Sequence, residues 1–243
     1  MISHWLHLLS TGFLFLGLIC AVTIAVDEIK RPQHMWIMNV VWPVVALFGT
    51  VIALWGYFRY GRLSTHEHMM AAKKHGHEHV HGEKSFAVMV GEAASHCGSG
   101  CTLGDICAEW LAFAAPGVAV WFGWHGIFAE KIFAVWVLDF VFAYIFGIFF
   151  QYFTIAPMRG LGFRDGMVAA VKADTLSLIA WQVGMYGFMA IAYFAIFPMW
   201  FDATLKTNSA EFWFAMQIAM LFGFATSYPV NWWLLKVGIK EKM

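Results

Sequence analysis

Residues 86–114 read "FAVMVGEAASHCGSGCTLGDICAEWLAFA", an apolar run into which residues 96–110, "HCGSGCTLGDICAEW", set a histidine, three cysteines, two carboxylates and a Gly-Ser-Gly step. At 1.5 Å per residue the run would make a helix of roughly 43 Å, longer than a hydrocarbon core of roughly 30 Å. It must tilt, protrude or break. Gly98–Gly100 is the place for a break or for close packing, because glycine lowers helix propensity and lets a neighbouring backbone approach. On an unbroken helix Cys97, Cys101, Asp105 and Glu109 follow one another at i, i+4 along one face, while Glu92 and His96 share another. His96 could therefore join Cys97 and Cys101 around one ion only if the backbone unwinds at the glycines.

The rest of the chain has the same character. It is 61% hydrophobic and 12% charged over 243 residues, which is the composition of an integral membrane protein. A formal net charge of +0 gives no basic surface for nucleic acid, which is excluded as a partner. The N-terminal "MISHWLHLLSTGFLFLGLICAVTIAV" lacks a basic n-region and a small-residue cleavage site, so it reads as a retained first span. Apolar runs of spanning length fall at about 5–26, 35–58, 86–114, 131–156, 168–198 and 211–235.

The fold class is thus all-α, a polytopic membrane helical bundle of about six transmembrane helices whose third is either broken at Gly98–Gly100 or closely packed there. Eleven of the 15 lysines and arginines collect on one side of such a six-span chain and four (Lys30, Arg31, Lys131, Lys206) on the other. The positive-inside rule then places both termini in the cytoplasm of a bacterium, across its inner membrane. The chain divides into a first transmembrane hairpin (1–58), a cytoplasmic His-rich loop (59–84) and a four-helix membrane region (85–243) that carries the HCxxxC motif. Tryptophans near span ends (Trp5, Trp36, Trp121, Trp124, Trp200, Trp213, Trp232, Trp233) form an aromatic belt, and "APGVAVWFGWHGIFAEK" reads as a short interfacial helix with His125 exposed outside.

Two thiolates with an imidazole select Cu(I), or zinc if a fourth ligand joins, and disfavour oxygen-loving ions. His96, Cys97 and Cys101, with Asp105 and Cys107 nearby, are the candidate metal site. The competing reading is a small-residue seam (Ala93, Ala94, Gly98, Gly100, Gly104, Ala108) in which the cysteines are apolar fillers. Met185 with Met189 and Met216 with Met220 each lie one helical turn apart, a spacing suited to weak, exchangeable Cu(I) binding or to ordinary core filling. Met35 and Met38, near His34, are a weaker candidate for the same ion. The loop "RYGRLSTHEHMMAAKKHGHEHVHGEK" holds His66, His68, His75, His77, His79 and His81, an auxiliary metal-buffering tract or a solvated linker.

Among polar groups in the spans, Asp139, Gln151, Gln182 and Gln217 should face the interior, and Lys172 and Asp174 read as interfacial anchors. Pro43 and Pro229 kink their helices, with Asn39 and Asn231 placed to satisfy the freed carbonyls.

"MNVVWP", "HCGSGCTLGDICAEW", "KADTLSL", "WQVGMYGFM" and "SYPVNWWLLKVGIKEKM" are similar to an uncharacterised bacterial integral-membrane family, domain of unknown function 4396, over most of residues 30–243. The resemblance implies an association with copper handling; the His-rich loop departs from the shared pattern.

Three functions follow. The first is a membrane protein that binds and transports or hands on a soft metal, with a metallochaperone or larger membrane complex as partner beside the bilayer and the ion. No GxxxxGK[ST] loop is present to power it. The second is a haem-bearing redox subunit, which needs histidines on facing helices at one depth. The third is a structural or assembly subunit. Enzymatic catalysis has little support, since no HExxH or nucleophile elbow occurs.

Overall fold

The computed structural model describes residues 4–74 and 84–241. The elements in order are α1 (His4–Lys30), α2 (Met38–Arg59), a 3-10 turn (Gly61–Ser64), α3 (His66–Lys74), α4 (Phe86–Ala114), α5 (Gly117–Trp121), α6 (Lys131–Arg159), α7 (Phe163–Ile191), a π turn (Ala192–Ile196), α8 (Phe197–Phe201) and α9 (Ala210–Lys236). Ser85 and Ser209 start α4 and α9 by accepting from the N–H groups of Val88 and Phe212, and Gly160, at φ +63°, ends α6. Four helical runs are long and apolar enough to cross a membrane, namely α1, α2, α6 and residues 163–201. The outward surface matches, with Phe15, Ile19, Ile52, Ile145 and Val183 among its exposed side chains.

The largest departure from expectation is α2. At Thr50 the backbone takes φ 44° and ψ −123°, and the helix turns back on itself. Trp42 and Tyr57, fifteen residues apart and so roughly 22 Å apart on a straight helix, have ring centroids 5.6 Å apart. The residues flanking α2 meet as well: Gln33 bridges Thr65, and His34 N–H donates to the Ser64 carbonyl at 2.9 Å. Arg62 and Tyr57 both donate to Asp27 near the end of α1. The segment expected to pass through the bundle instead enters and leaves at one end.

The reversal reaches the bundle surface, where Val51 and Ile52 are exposed, but it is tied to the interior just before the turn. Leu47, three residues before the turn, offers its carbonyl to Gln217 Nε2 of α9 at 2.6 Å, and Gly17 of α1 leaves room for it. A carbonyl left over by irregular backbone is tolerated where a neighbouring helix satisfies it, as Gln217 does for Leu47. Among the described residues α1, α4, α6, α7 and α9 run the length of the bundle, whereas α2 turns back within it. His7 at the start of α1 meets Glu211 at the start of α9, whereas Lys240 beyond α9 meets Ala93 near the start of α4. The two ends of the chain lie at opposite ends of the bundle, which corrects the expectation that they share a side.

The Gly98–Gly100 step does not break α4, which is helical from Phe86 to Ala114. The glycines serve close packing. Gly98 is covered by the Trp181 indole of α7, Gly100 lies against Gly147 of α6 and Gly104 against Ala143. Any Cβ at Gly98 or Gly104 would overlap its neighbour. Where lipid competes equally well for apolar side chains, such small-residue contacts are what brings helices together.

Candidate functional site

An unbroken α4 distributes its polar side chains among different neighbours. His96 points to α6, where its Nε2 shares a 2.8 Å hydrogen bond with Thr154 Oγ1 and its ring sits edge-on to Phe150. Cys97 lies beside Asp174 of α7, and Cys101 follows one turn on; both cysteines are fully buried. The expected union of His96 with the two thiols is thus not formed. Among the described residues no three histidine, cysteine, aspartate or glutamate side chains come together as a metal-holding group. Cys107 is exposed on the outer face of α4 and leaves the set.

What assembles is a file of ionisable and amide groups along α4. At one end Lys84 Nζ donates to both oxygens of Glu92 (2.6 and 2.8 Å) and to Ser64 Oγ. Next, Lys240 donates to the Ala93 carbonyl (3.0 Å) and to Asn231 Oδ1 (2.8 Å), with Asp174 Oδ1 3.9 Å away. The Cys97–Cys101 thiols follow. Asp105, Asp139 of α6 and Glu109 then face one another and Tyr186 of α7, and Gln182 stands beside Asp105. Thr207 donates to Glu109 Oε2 (2.9 Å) at the far end. From Glu92 to Glu109 is 17 residues, roughly 26 Å of helix, close to the depth of a hydrocarbon core.

Several polar atoms in and beside this file make no hydrogen bond. Both oxygens of Asp105, Asp139 and Asp174, both amide atoms of Gln151 and Gln182, and His96 Nδ1 are buried and make no hydrogen bond within the described residues. A bare charge there costs several kcal/mol, so such groups take up a proton or face a cation. The third, fourth and fifth sequence segments thus owe their buried polar groups to one shared interior path.

The methionine pairs are buried in the same core: Met185, Met189, Met216 and Met220. Met216 and Met220 line a cavity of about 330 Å³ together with Asp105, Thr102 and Gln217, and Met220 Sδ accepts from Thr102 Oγ1 at 3.7 Å. Asp174 is fully buried, so it is no interfacial anchor, whereas Lys172 is exposed. Asn39 serves the loop before α2, accepting from Gln33 N–H and donating to the Trp36 carbonyl, and Asn231 donates to Ser177 and to the Ser227 carbonyl. His125, at φ 64°, is exposed and stacks on Trp124. His66 and His68 belong to α3; His75, His77, His79 and His81 lie outside the described residues. His96 is the one buried histidine among the described residues. The sequence reading missed Lys84 and Lys240, because a lysine in a loop or a tail carries no pattern that marks it as buried.

These features define a helical bundle with a polar interior file. The chain belongs to the family described as domain of unknown function (DUF4396), which matches residues 88–240, from the first turn of α4 through α9. No curated protein matches the sequence. No solved structure matches either.

Proposed function

We propose that this is a multi-pass protein of the bacterial inner membrane that exchanges Cu(I) for a proton at the Cys97–Cys101 thiols. The observation that carries this reading is the buried thiol pair set beside a carboxyl, Asp174, whose nearest cation is Lys240, 3.9 Å away. Soft thiolates hold Cu(I), and two of them one helical turn apart suffice for its low coordination number.

Charge balance supports exchange. Binding forms two S–Cu bonds and releases one proton from each thiol. With Asp174 and Lys240 as an ion pair, the thiol site is neutral. One released proton goes to Asp174 and the other leaves. The product is an anionic copper dithiolate, a neutral Asp174 and a cationic Lys240, again neutral in sum. One Cu(I) enters as one proton departs, and no net charge is added to an interior that disfavours it. The thiols are faced by Asp105 on α4 and by Asp174 and Tyr186 on α7, and Lys240 beyond α9 stands 3.9 Å from Asp174. Asp105, Asp139 and Glu109 continue the file toward the opposite end as proton carriers.

The test is copper content of protein purified under anaerobic, reducing conditions, wild type beside Cys97→Ser/Cys101→Ser. Near-stoichiometric copper that vanishes in the double variant supports the reading; equal content in both, with both folded, rejects it. The structural-subunit reading keeps one observation in its favour, the glycine seam of α4 on α6, and predicts that the thiol variants lose association with a partner while metal content is unchanged.

A further inference from the structure

A second group of soft ligands stands at the end of the bundle where α2 enters and leaves. His34, before α2, and His66, at the start of α3, are both exposed, and their rings stack with centroids 5.6 Å apart and 21° between planes. Their Nδ1 atoms are 3.4 Å apart. That separation is a hydrogen bond between the two imidazoles, so the two nitrogens already face each other, and an ion bound between them would take the place of the shared proton. Beside it opens a cavity of about 380 Å³ lined by His34 and by Met35, Met38, Met69 and Met158. Four thioethers around one cavity are a soft-ligand surface, and on a site shared with two imidazoles they favour Cu(I) over harder ions.

The cavity also reaches the interior file. Its wall includes Glu92, Lys84 and Thr154, and Thr154 holds His96, the residue before Cys97. The fold-back of α2 creates this arrangement, because only a chain that returns to its starting end brings residue 66 against residue 34.

We propose that His34 and His66, with the thioethers of Met35, Met38, Met69 and Met158, form a Cu(I) loading site at the mouth of the interior file. The proposal rests on the thiol reading for the identity of its cargo, and it is tested where that reading has no influence.

The experiment is a Cu(I) titration against a chromophoric competing chelator, on full-length protein lacking all four thiols (Cys20→Ala, Cys97→Ser, Cys101→Ser, Cys107→Ser) and with His75, His77, His79 and His81 changed to alanine. One Cu(I) should remain bound, and His34→Ala/His66→Ala should weaken it by at least about tenfold, the usual scale for losing metal-site groups. Both histidines are exposed, so the fold survives their loss. Met38→Leu/Met158→Leu should weaken Cu(I) while leaving Zn(II) affinity unchanged. Unaltered Cu(I) affinity in the histidine variant, or in the methionine variant, overturns the proposal. Failure of the thiol reading shows elsewhere, as equal copper content in wild type and Cys97→Ser/Cys101→Ser.

Discussion

Trp181 is clamped between two glycines, Gly98 of α4 and Gly223 of α9, whose missing side chains make room for its indole. It is fully buried and packs edge-on against Phe48 of α2 and Phe224 of α9, so one ring ties four helices together. A methyl group at Gly98 would overlap the ring. Gly98→Ala should therefore cost about 1–3 kcal/mol, the range for overpacking a tight interior, read as a lowered midpoint in thermal or SDS unfolding. Gly187, with nothing within 4 Å of where a Cβ would stand, is the control, and Gly187→Ala should hold or slightly raise the midpoint. At this scale the sequence is half legible. His96, Cys97, Cys101 and Asp105 stand out because polar groups in an apolar run are expensive, and all four are buried. What the glycines do is not legible, because kinking and close packing use the same residue for the same reason, the absence of a Cβ. Only the partner surface, here Trp181, Gly147 and Ala143, decides between them.

Hydropathy locates elements and is blind to their direction. Residues 35–58 form one apolar run, as long as one crossing or two half-crossings, and nothing in "LFGTVIA" distinguishes the two. The turn at Thr50 has the dihedrals of the first central residue of a type II′ turn, a position that favours glycine. A β-branched residue held there carries about 1–3 kcal/mol of strain. Thr50→Gly should recover a large part of it and raise the unfolding midpoint, whereas a glycine inside a continuous helix would lower stability by about 1 kcal/mol. The sign of that change separates the two readings of α2. A covalent test is independent of energetics: Gln33→Cys/Thr65→Cys, in protein lacking the native thiols, should form a disulfide on mild oxidation, since the two residues pair across an isolated bridge. An α2 that crossed the bundle would hold them roughly 30 Å apart and yield none.

Turning α2 back changes what the whole molecule implies about orientation. Lys30 and Arg31, which a six-pass chain would place opposite Arg59 and Arg62, join them at one end, with Arg31 and Arg62 meeting on Asp27. Lys131 and Lys206 are then the basic residues left at the other end among the described residues. The basic residues thus gather more steeply at one end of the bundle, which for a protein of the inner membrane, as proposed above, is the cytoplasmic end; it holds the end of α9 and the proposed loading site, with the start of α1 at the other. The interior file runs from Lys84–Glu92 at the basic end to Glu109–Thr207 at the opposite end, and the thiols stand between them beside Asp174 and Lys240. A one-for-one exchange of Cu(I) and a proton there moves no net charge, so a pH difference should drive it and an electrical potential should not. In proteoliposomes, Cu(I) movement should rise with an imposed pH gradient and stay unchanged when potassium and valinomycin set the potential. Asp174→Asn removes the carboxyl that keeps one proton; two protons then leave per ion bound, and Cu(I) affinity should steepen from about tenfold to about a hundredfold per pH unit, weaker on the acid side. Movement that follows the potential, or an unchanged pH slope in Asp174→Asn, would show that the charge on the thiols is balanced elsewhere in the file.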